Sequence, residues 1–193
     1  VLKWWLWAFV EEAVKRVKSG MSVLDMCTGS GCVLLSLLRH TAERNCVSGI
    51  AGTGADISEE ALAVARENGS RLHVEAEFIK SDLFEQVSGV YDMIVSNPPY
   101  IRTAVIRELQ EEVRLYDPYI ALDGREDGLH FYRRIITEGV SHIKEGGWVL
   151  FEIGYDQAEA VAELLRAAGY GSISVKKDLA GLDRVVCARY NVG

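Results

Sequence analysis

The chain has 193 residues, 49% hydrophobic and 25% charged, which suits one globular domain with a real core and excludes a disordered or fibrous chain. A net charge of −7 argues against a broad surface tracking nucleic-acid phosphates. Four cysteines without a CxxC pair and four scattered histidines show no ligand spacing, so no metal is expected. Cys27, Cys32, Cys46 and Cys187 read as buried free thiols in a reducing compartment.

The opening residues, VLKWWLWAFV, are apolar, but a membrane span needs about 20 such residues, and no small-residue cleavage site follows. A cytoplasmic location is therefore expected. The first residue is Val rather than Met, so the expectation is that something upstream is missing. From Phe9 to Lys18 the apolar positions Phe9, Val10, Ala13, Val14 and Val17 recur at helical spacing, and Ser19-Gly20 ends that helix. MSVLDM reads as a short buried strand, the turn CTGSG follows, and CVLLSLLRH is an apolar helix. SGIAGTGADI is a second strand, after which Ser58 is an N-cap candidate with acids in the first turn. VEAEFI and YDMIV are strands three and four.

A polar connection, residues 102–126, leads to the amphipathic helix GLHFYRRIITEGVSHI. Gly146-Gly147 reads as a turn, WVLFEI as strand five and QAEAVAELLRAA as another helix. GSISVKK and RVVCARY close the chain as two strands on a short link, hence an antiparallel, hairpin-like pair. Strands alternating with helices predict an α/β fold: a doubly wound, mostly parallel sheet with helices on both faces and an antiparallel last strand pair. Such sheets bind ligands beyond the C-terminal ends of their strands, so the residues just after each strand are the informative ones.

After strand one stand Cys27, Thr28, Gly29, Ser30 and Gly31, where glycines allow a close backbone approach and the next helix offers free N–H groups. This is not GxGxxG, and a plain strand–helix turn would look the same. After strand two, Asp56 could accept both hydroxyls of a ribose or simply cap the Ser58 helix. After strand three, Asp82 could accept an adenine amino group with Leu83 packed on the ring, although Asp before a turn is common.

Strand four runs into Ser96-Asn97-Pro98-Pro99-Tyr100-Ile101. Two prolines forbid a helix and remove two donors, so the loop is stiff. Asn97 carries a donor and an acceptor on one flat amide, and Tyr100 offers a π-face. A planar group bearing an NH2 fits here: one N–H to the Asn97 side-chain oxygen, the other to the Pro98 carbonyl, its plane on Tyr100. Beside a nucleoside site, this points to methyl transfer from S-adenosylmethionine to a planar nitrogen, with Asn97, Pro98 and Tyr100 acting on the acceptor. The alternative is a rigid turn with a tyrosine plug.

With these residues in place the sequence resembles the class I methyltransferases and, within them, the PrmC/HemK family of release-factor glutamine-N5 methyltransferases. The motif NPPY is shared with DNA adenine-N6 and several ribosomal RNA methyltransferases. The longer stretches VLDMCTGSGC, ADISEEALAVAREN, SDLF, DMIVSNPPYI, DPYIALDGREDGLHFYRRI, GGWVLFEIGYDQAEAV and DLAGLDRVV carry the specific resemblance. It implies S-adenosylmethionine as cofactor and the side-chain amide of a glutamine in the Gly-Gly-Gln loop of class 1 peptide release factors as substrate. Neither nucleic acid nor membrane is implied as a partner.

By position, it implies that Cys27 through Gly31 line the methionine end of the cofactor, Asp56 holds the ribose, and Asp82 with Leu83 flanks the adenine. Asn97 would bridge cofactor and substrate, and Asn97, Pro98, Pro99 and Tyr100 would grip the amide. Many methyltransferases have Gly where Cys27 stands. Family members also carry a helical N-terminal domain, so residues 1–20 read as a helix left from the linker to it and residues 21–193 as the methyltransferase domain. Lys3-Trp4-Trp5-Leu6-Trp7 stands where the family has an Arg-Pro-rich acidic segment, which reads as truncation or imperfect sequence rather than an aromatic docking patch. The rival readings are a ribosomal-protein glutamine methyltransferase, a nucleic-acid adenine-N6 methyltransferase, and a cofactor-binding module without strong catalysis.

Overall fold

The structure is a computed structural model that describes residues 4–43, 47–106 and 119–191. Five parallel strands, β1 (Ser22–Met26), β2 (Ala51–Asp56), β3 (Glu77–Lys80), β4 (Tyr91–Ser96) and β5 (Ile143–Glu152), form most of one sheet. Two more, β6 (Tyr170–Lys177) and β7 (Asp183–Tyr190), complete the order β3-β2-β1-β4-β5-β7-β6, with β7 antiparallel to both neighbours. The expected doubly wound sheet and antiparallel last pair are both present. Strand order reverses between β1 and β4, and the loops after these two strands flank that switch point.

The helices are α1 (Trp4–Val14), α2 (Cys32–Glu43), α3 (Glu59–Leu72), the single turns α4 (Thr103–Ile106) and α5 (Tyr119–Leu122), α6 (His130–Gly139) and α7 (Ala158–Ala167). Alternation along the strands assigns two cores. Met93, Val95 and Leu150 pack with Phe9, Val10 and Ala13 of α1 and Leu34 and Leu37 of α2 on one face. Ile94, Val149 and Phe151 pack with Tyr132, Ile135 and Ile136 of α6 and Val161 and Leu165 of α7 on the other. Period 2 in the strands meets helical stripes on both sides, which is why these runs are almost wholly apolar.

Several boundaries differ from the sequence reading. Helix α1 begins at Trp4, not Phe9, so the aromatic run is helical; Trp7 sits edge-on to His40 at 4.7 Å and is 43% exposed. The aromatic-patch question turns also on the side chains of Trp4 and Trp5, which lie outside the described residues. Helix α6 stops at Gly139, and Ile143 already belongs to β5, pairing with Tyr91. Gly146 and Gly147 therefore lie inside β5 rather than in a turn before it: the register shifts between Tyr91 and Met93, and Gly146 takes φ +74° at that bulge. Finally, β3 starts at Glu77 rather than Val74. Asp117-Pro118 and Cys46 lie outside the described residues.

Candidate active site

The loops after β1, β2, β3, β4 and β5 all open on one edge of the sheet, and they carry the residues singled out from the sequence. The turn after β1 is built by Asp25, an acid in the middle of a buried strand and 1% exposed. Its Oδ2 accepts from Thr28 Oγ1 at 2.6 Å and from the Leu34 N–H at 3.3 Å, tying the turn to the first turn of α2. Burial pushes the Asp25 carboxyl up to about 7, against these two hydrogen bonds and with help from the nearby Asp56. The sequence reading passed over this residue, although an acid inside VLDM is itself a signal.

Within the turn, Cys27, Gly29 and Gly31 take φ of +60°, +55° and +75°. The position of Cys27 thus favours glycine on backbone grounds, at a cost of about 1–2 kcal/mol for a side chain. Its thiol, half-buried against the core, is pushed up in pKa by desolvation and then by Asp56 and Asp25, so it is not a thiolate nucleophile. A side chain on Gly29 would meet nothing within 4 Å, whereas one on Gly31 would meet Leu35, Ala65 and Phe78 at 3.1–3.3 Å. One glycine leaves room for a ligand, and the other lets the elements pack.

Asp56 ties two turns together. Its Oδ1 accepts from the Ser58 N–H at 2.9 Å and its Oδ2 from the Gly29 N–H at 2.8 Å, while Ser58 Oγ caps α3 by accepting from the Ala61 N–H at 3.1 Å. The carboxylate is only partly buried and joins the turns after β1 and β2. Each oxygen keeps a lone pair for a hydroxyl. Asp82 accepts from Arg134 Nη1 of α6 at 2.9 Å through Oδ1. Leu83, at φ +47°, is 4% exposed, and its side chain joins the core cluster beneath that turn. Two carboxylates, Asp56 at the end of β2 and Asp82 after β3, fit the hydroxyl and amino groups of a nucleoside, with the open side of Gly29 as the place of close approach.

The loop after β4 is held by groups from several distant segments. Ser96 Oγ donates to the Met26 carbonyl at 2.6 Å, and Pro98 is buried. Asn97 is half-buried, and among the described residues its carboxamide makes no hydrogen bond. Ile101 bridges Asp123 in parallel, with its N–H on the Leu122 carbonyl at 3.0 Å and the Gly124 N–H on its own carbonyl at 2.8 Å. Asp123 is 5% exposed; burial works upward on its pKa, but hydrogen bonds from Thr103 Oγ1 and the Arg125 N–H hold it below the ordinary value.

Gly124 and Gly128 lie directly against the main chain of Tyr100: a side chain would come within 2.7 Å of the Tyr100 backbone at the first and 2.4 Å of its carbonyl at the second. Gln157, 6% exposed, closes the arrangement. Its Nε2 donates to the Tyr100 carbonyl at 3.1 Å and the Gly128 carbonyl at 3.3 Å, while its Oε1 accepts from the Gly154 N–H at 3.0 Å. No sequence pattern marks Gln157, because its partners come from three separate segments. The Tyr100 ring is partly buried against the core, and its hydroxyl lies beside Glu152 and Arg184. Burial, then Glu152, raise the phenol's pKa, with Arg184 opposing, so Tyr100 stays protonated. Tyr132 Oη donates to the Glu152 carbonyl at 2.8 Å below it.

Among the described residues no group of three or more His, Cys, Asp or Glu could hold a metal ion, and no helix is long and apolar enough to cross a membrane. Cys27, Cys32 and Cys187 are free thiols.

Comparison with known proteins places this geometry. The chain is 41% identical over 182 residues to the release factor glutamine methyltransferase of Agrobacterium fabrum, covering 93% of this chain and 61% of that protein. It is 45% identical over 182 residues to the protein of the same name from Caulobacter vibrioides, covering 92% and 61% respectively. The chain thus spans about three fifths of the length of these curated relatives. The solved structure of a release factor-specific protein-(glutamine-N5) methyltransferase from Alicyclobacillus acidocaldarius superposes with a TM-score of 0.58 at 27% identity, covering 100% of this chain and 95% of that one. The resemblance read from the sequence is borne out by these relatives. Residues 8–113 match the model of the methyltransferase small domain, and the chain belongs to that family.

Proposed function

We propose that this chain transfers a methyl group from S-adenosylmethionine to the side-chain amide nitrogen of a glutamine in class 1 peptide release factors. One observation carries the proposal: a half-buried Asn97 carboxamide without a hydrogen bond among the described residues, held at the switch point between a glycine turn and a braced tyrosine. The similarity to release factor glutamine methyltransferases supports the choice of a glutamine amide over a base. Residues 21–193 are read as the methyltransferase domain and residues 1–20 as the end of a linker to a helical substrate domain, in a cytoplasmic enzyme. Helix α1 is nonetheless packed into the core, with Phe9 and Ala13 fully buried.

When bound, S-adenosylmethionine supplies an electrophilic methyl on a positively charged sulfur. The open face of Gly29 and the turn from Cys27 to Gly31 hold its amino-acid end, Asp56 its ribose hydroxyls, and Asp82 its adenine. The Leu83 side chain is given to the core, so what its turn offers the adenine is set by Asp82 and the main chain. The amide nitrogen of glutamine is a weak nucleophile because its lone pair is delocalised. The Asn97 side-chain oxygen and the Pro98 carbonyl accept its two N–H groups, orient the nitrogen toward the methyl and favour the positive charge that develops there. The half-buried, protonated Tyr100 walls the plane of the amide. No covalent nucleophile is needed; the proton that the nitrogen loses on methylation lies in the hydrogen bond to the Asn97 side-chain oxygen or the Pro98 carbonyl and passes from there to water.

Incubating the chain with methyl-labelled S-adenosylmethionine and a purified release factor, ribosomal protein or DNA tests the assignment. Label on the release factor, lost when its Gly-Gly-Gln glutamine is changed to alanine, is expected. Label on DNA alone would overturn it.

A further inference from the structure

The link between β6 and β7 opens on the same edge of the sheet as the Asn97–Tyr100 loop, because β7 runs back along β5 with Val185 opposite Glu152. This link is ordered from inside. Asp178 Oδ1 accepts from the Ala180 and Leu182 N–H groups at 2.9 and 3.1 Å, and the Asp178 N–H donates to the Leu182 carbonyl at 2.8 Å. The second oxygen, Oδ2, accepts from Arg184 Nε at 3.2 Å, with the two side chains only 11% and 14% exposed. Arg184 Nη1 reaches the Ile153 carbonyl at 3.4 Å, and the Ile153 N–H donates to the Arg184 carbonyl at 3.0 Å.

The guanidinium is therefore pinned by Asp178 on one side and by the end of β5 on the other. The Tyr100 hydroxyl lies beside it and beside the Glu152 carboxyl, on a residue 1% exposed. Between a guanidinium, which only donates, and a carboxylate, which only accepts, a phenol has one polarity open to it, donor toward Glu152 and acceptor toward Arg184. Charged groups of fixed polarity on both sides constrain the ring more than packing alone.

Resting on the reading of the Asn97–Tyr100 loop as an amide clamp, we propose that Arg184 is a positioning residue for Tyr100: braced by Asp178 and the Ile153 carbonyl, it holds the phenol against Glu152 and so sets the angle of the ring that meets the substrate amide. The β6–β7 link, remote from the clamp in sequence, is then part of the clamp's support.

Two readouts on the full chain test this. With ¹³C-labelled tyrosine, the ring signal of Tyr100 is assigned by its loss in Tyr100→Phe. Arg184→Ala is expected to shift that signal, Arg184→Gln to shift it too, and Arg184→Lys to leave it near its original place. Binding of S-adenosylhomocysteine should change less than about twofold in all three, since Arg184 lies away from the cofactor turns. In methyl transfer to a release factor, Arg184→Ala and Tyr100→Phe should each lower kcat/KM about tenfold, and the double variant no more than the worse single one. A Tyr100 signal unmoved by Arg184→Ala, or by Arg184→Gln should the alanine variant not fold, overturns the proposal. So do losses that multiply in the double variant. If the unaltered chain methylates no release factor, the substrate reading fails while the ring signal still decides the role of Arg184.

Discussion

Asp25 makes the pH dependence of folding a direct test of how the cofactor turn is built. Its carboxyl is raised by burial from an ordinary 3.8 to about 7, a shift of about 3 units, or roughly 4 kcal/mol between protonation states. Because the folded pKa lies above the unfolded one, the folded state binds the extra proton. The contribution to stability is fully present below about 4 and is lost as pH rises through about 7. Between pH 5 and pH 8 this amounts to about 2–3 kcal/mol. Asp25→Asn keeps an acceptor for Thr28 Oγ1 and the Leu34 N–H but cannot ionise. Urea midpoints measured from pH 5 to pH 8 should therefore fall steeply in the unaltered chain and nearly level off in the variant. Taking the difference between the two cancels the histidines. Glu12, Asp92, Asp123, Asp127 and Asp178 are shifted downward instead, so their contributions are lost only as pH falls through lower values and do not enter this window. Parallel profiles for the two proteins would show that Asp25 is ionised in the fold and that the turn is held in another way.

Three further outcomes are expected. Asn97→Ala should abolish methyl transfer while leaving the melting temperature within about 2 °C, since the carboxamide makes no hydrogen bond among the described residues; near-normal turnover would refute the clamp. Asp56→Ala should weaken S-adenosylhomocysteine binding at least about tenfold, while single-turnover rates at saturating S-adenosylmethionine change much less; calorimetry and rapid quench separate the two. Gly128→Ala would place a methyl group 2.4 Å from the Tyr100 carbonyl at a φ of +76°. It should destabilise by about 2–5 kcal/mol from the two causes together and move the Tyr100 loop, which chemical denaturation and the Tyr100 ring signal would report.

The alternation of apolar strands with amphipathic helices was legible because each element is almost wholly apolar or striped at its own period. The residues after the strands were legible for the same reason: once the strands are located, the sheet puts their ends on one edge. Errors fell where local rules met long-range ones. Gly146-Gly147 has the composition of a turn, but the pairing of Ile143 and Trp148 with β4 on either side of it draws the pair into β5 as a bulge. No spacing in SDLF shows that Leu83 takes a φ of +47° with its side chain in the core.

By itself the sequence determined the layered α/β order, the glycine turn, the two acids Asp56 and Asp82 that follow strands two and three, and the stiff amide-bearing loop, all of which follow from local periodicity and the chemistry of single residues. Only the tertiary structure decided that Asp25 is buried enough to hold a proton and that Asp56 links two turns. It also decided that Gln157, Gly124 and Gly128 brace Tyr100 and that Arg184 stands beside its hydroxyl. Burial and hydrogen bonding between distant segments have no period along the chain, so no spacing of residues could announce them.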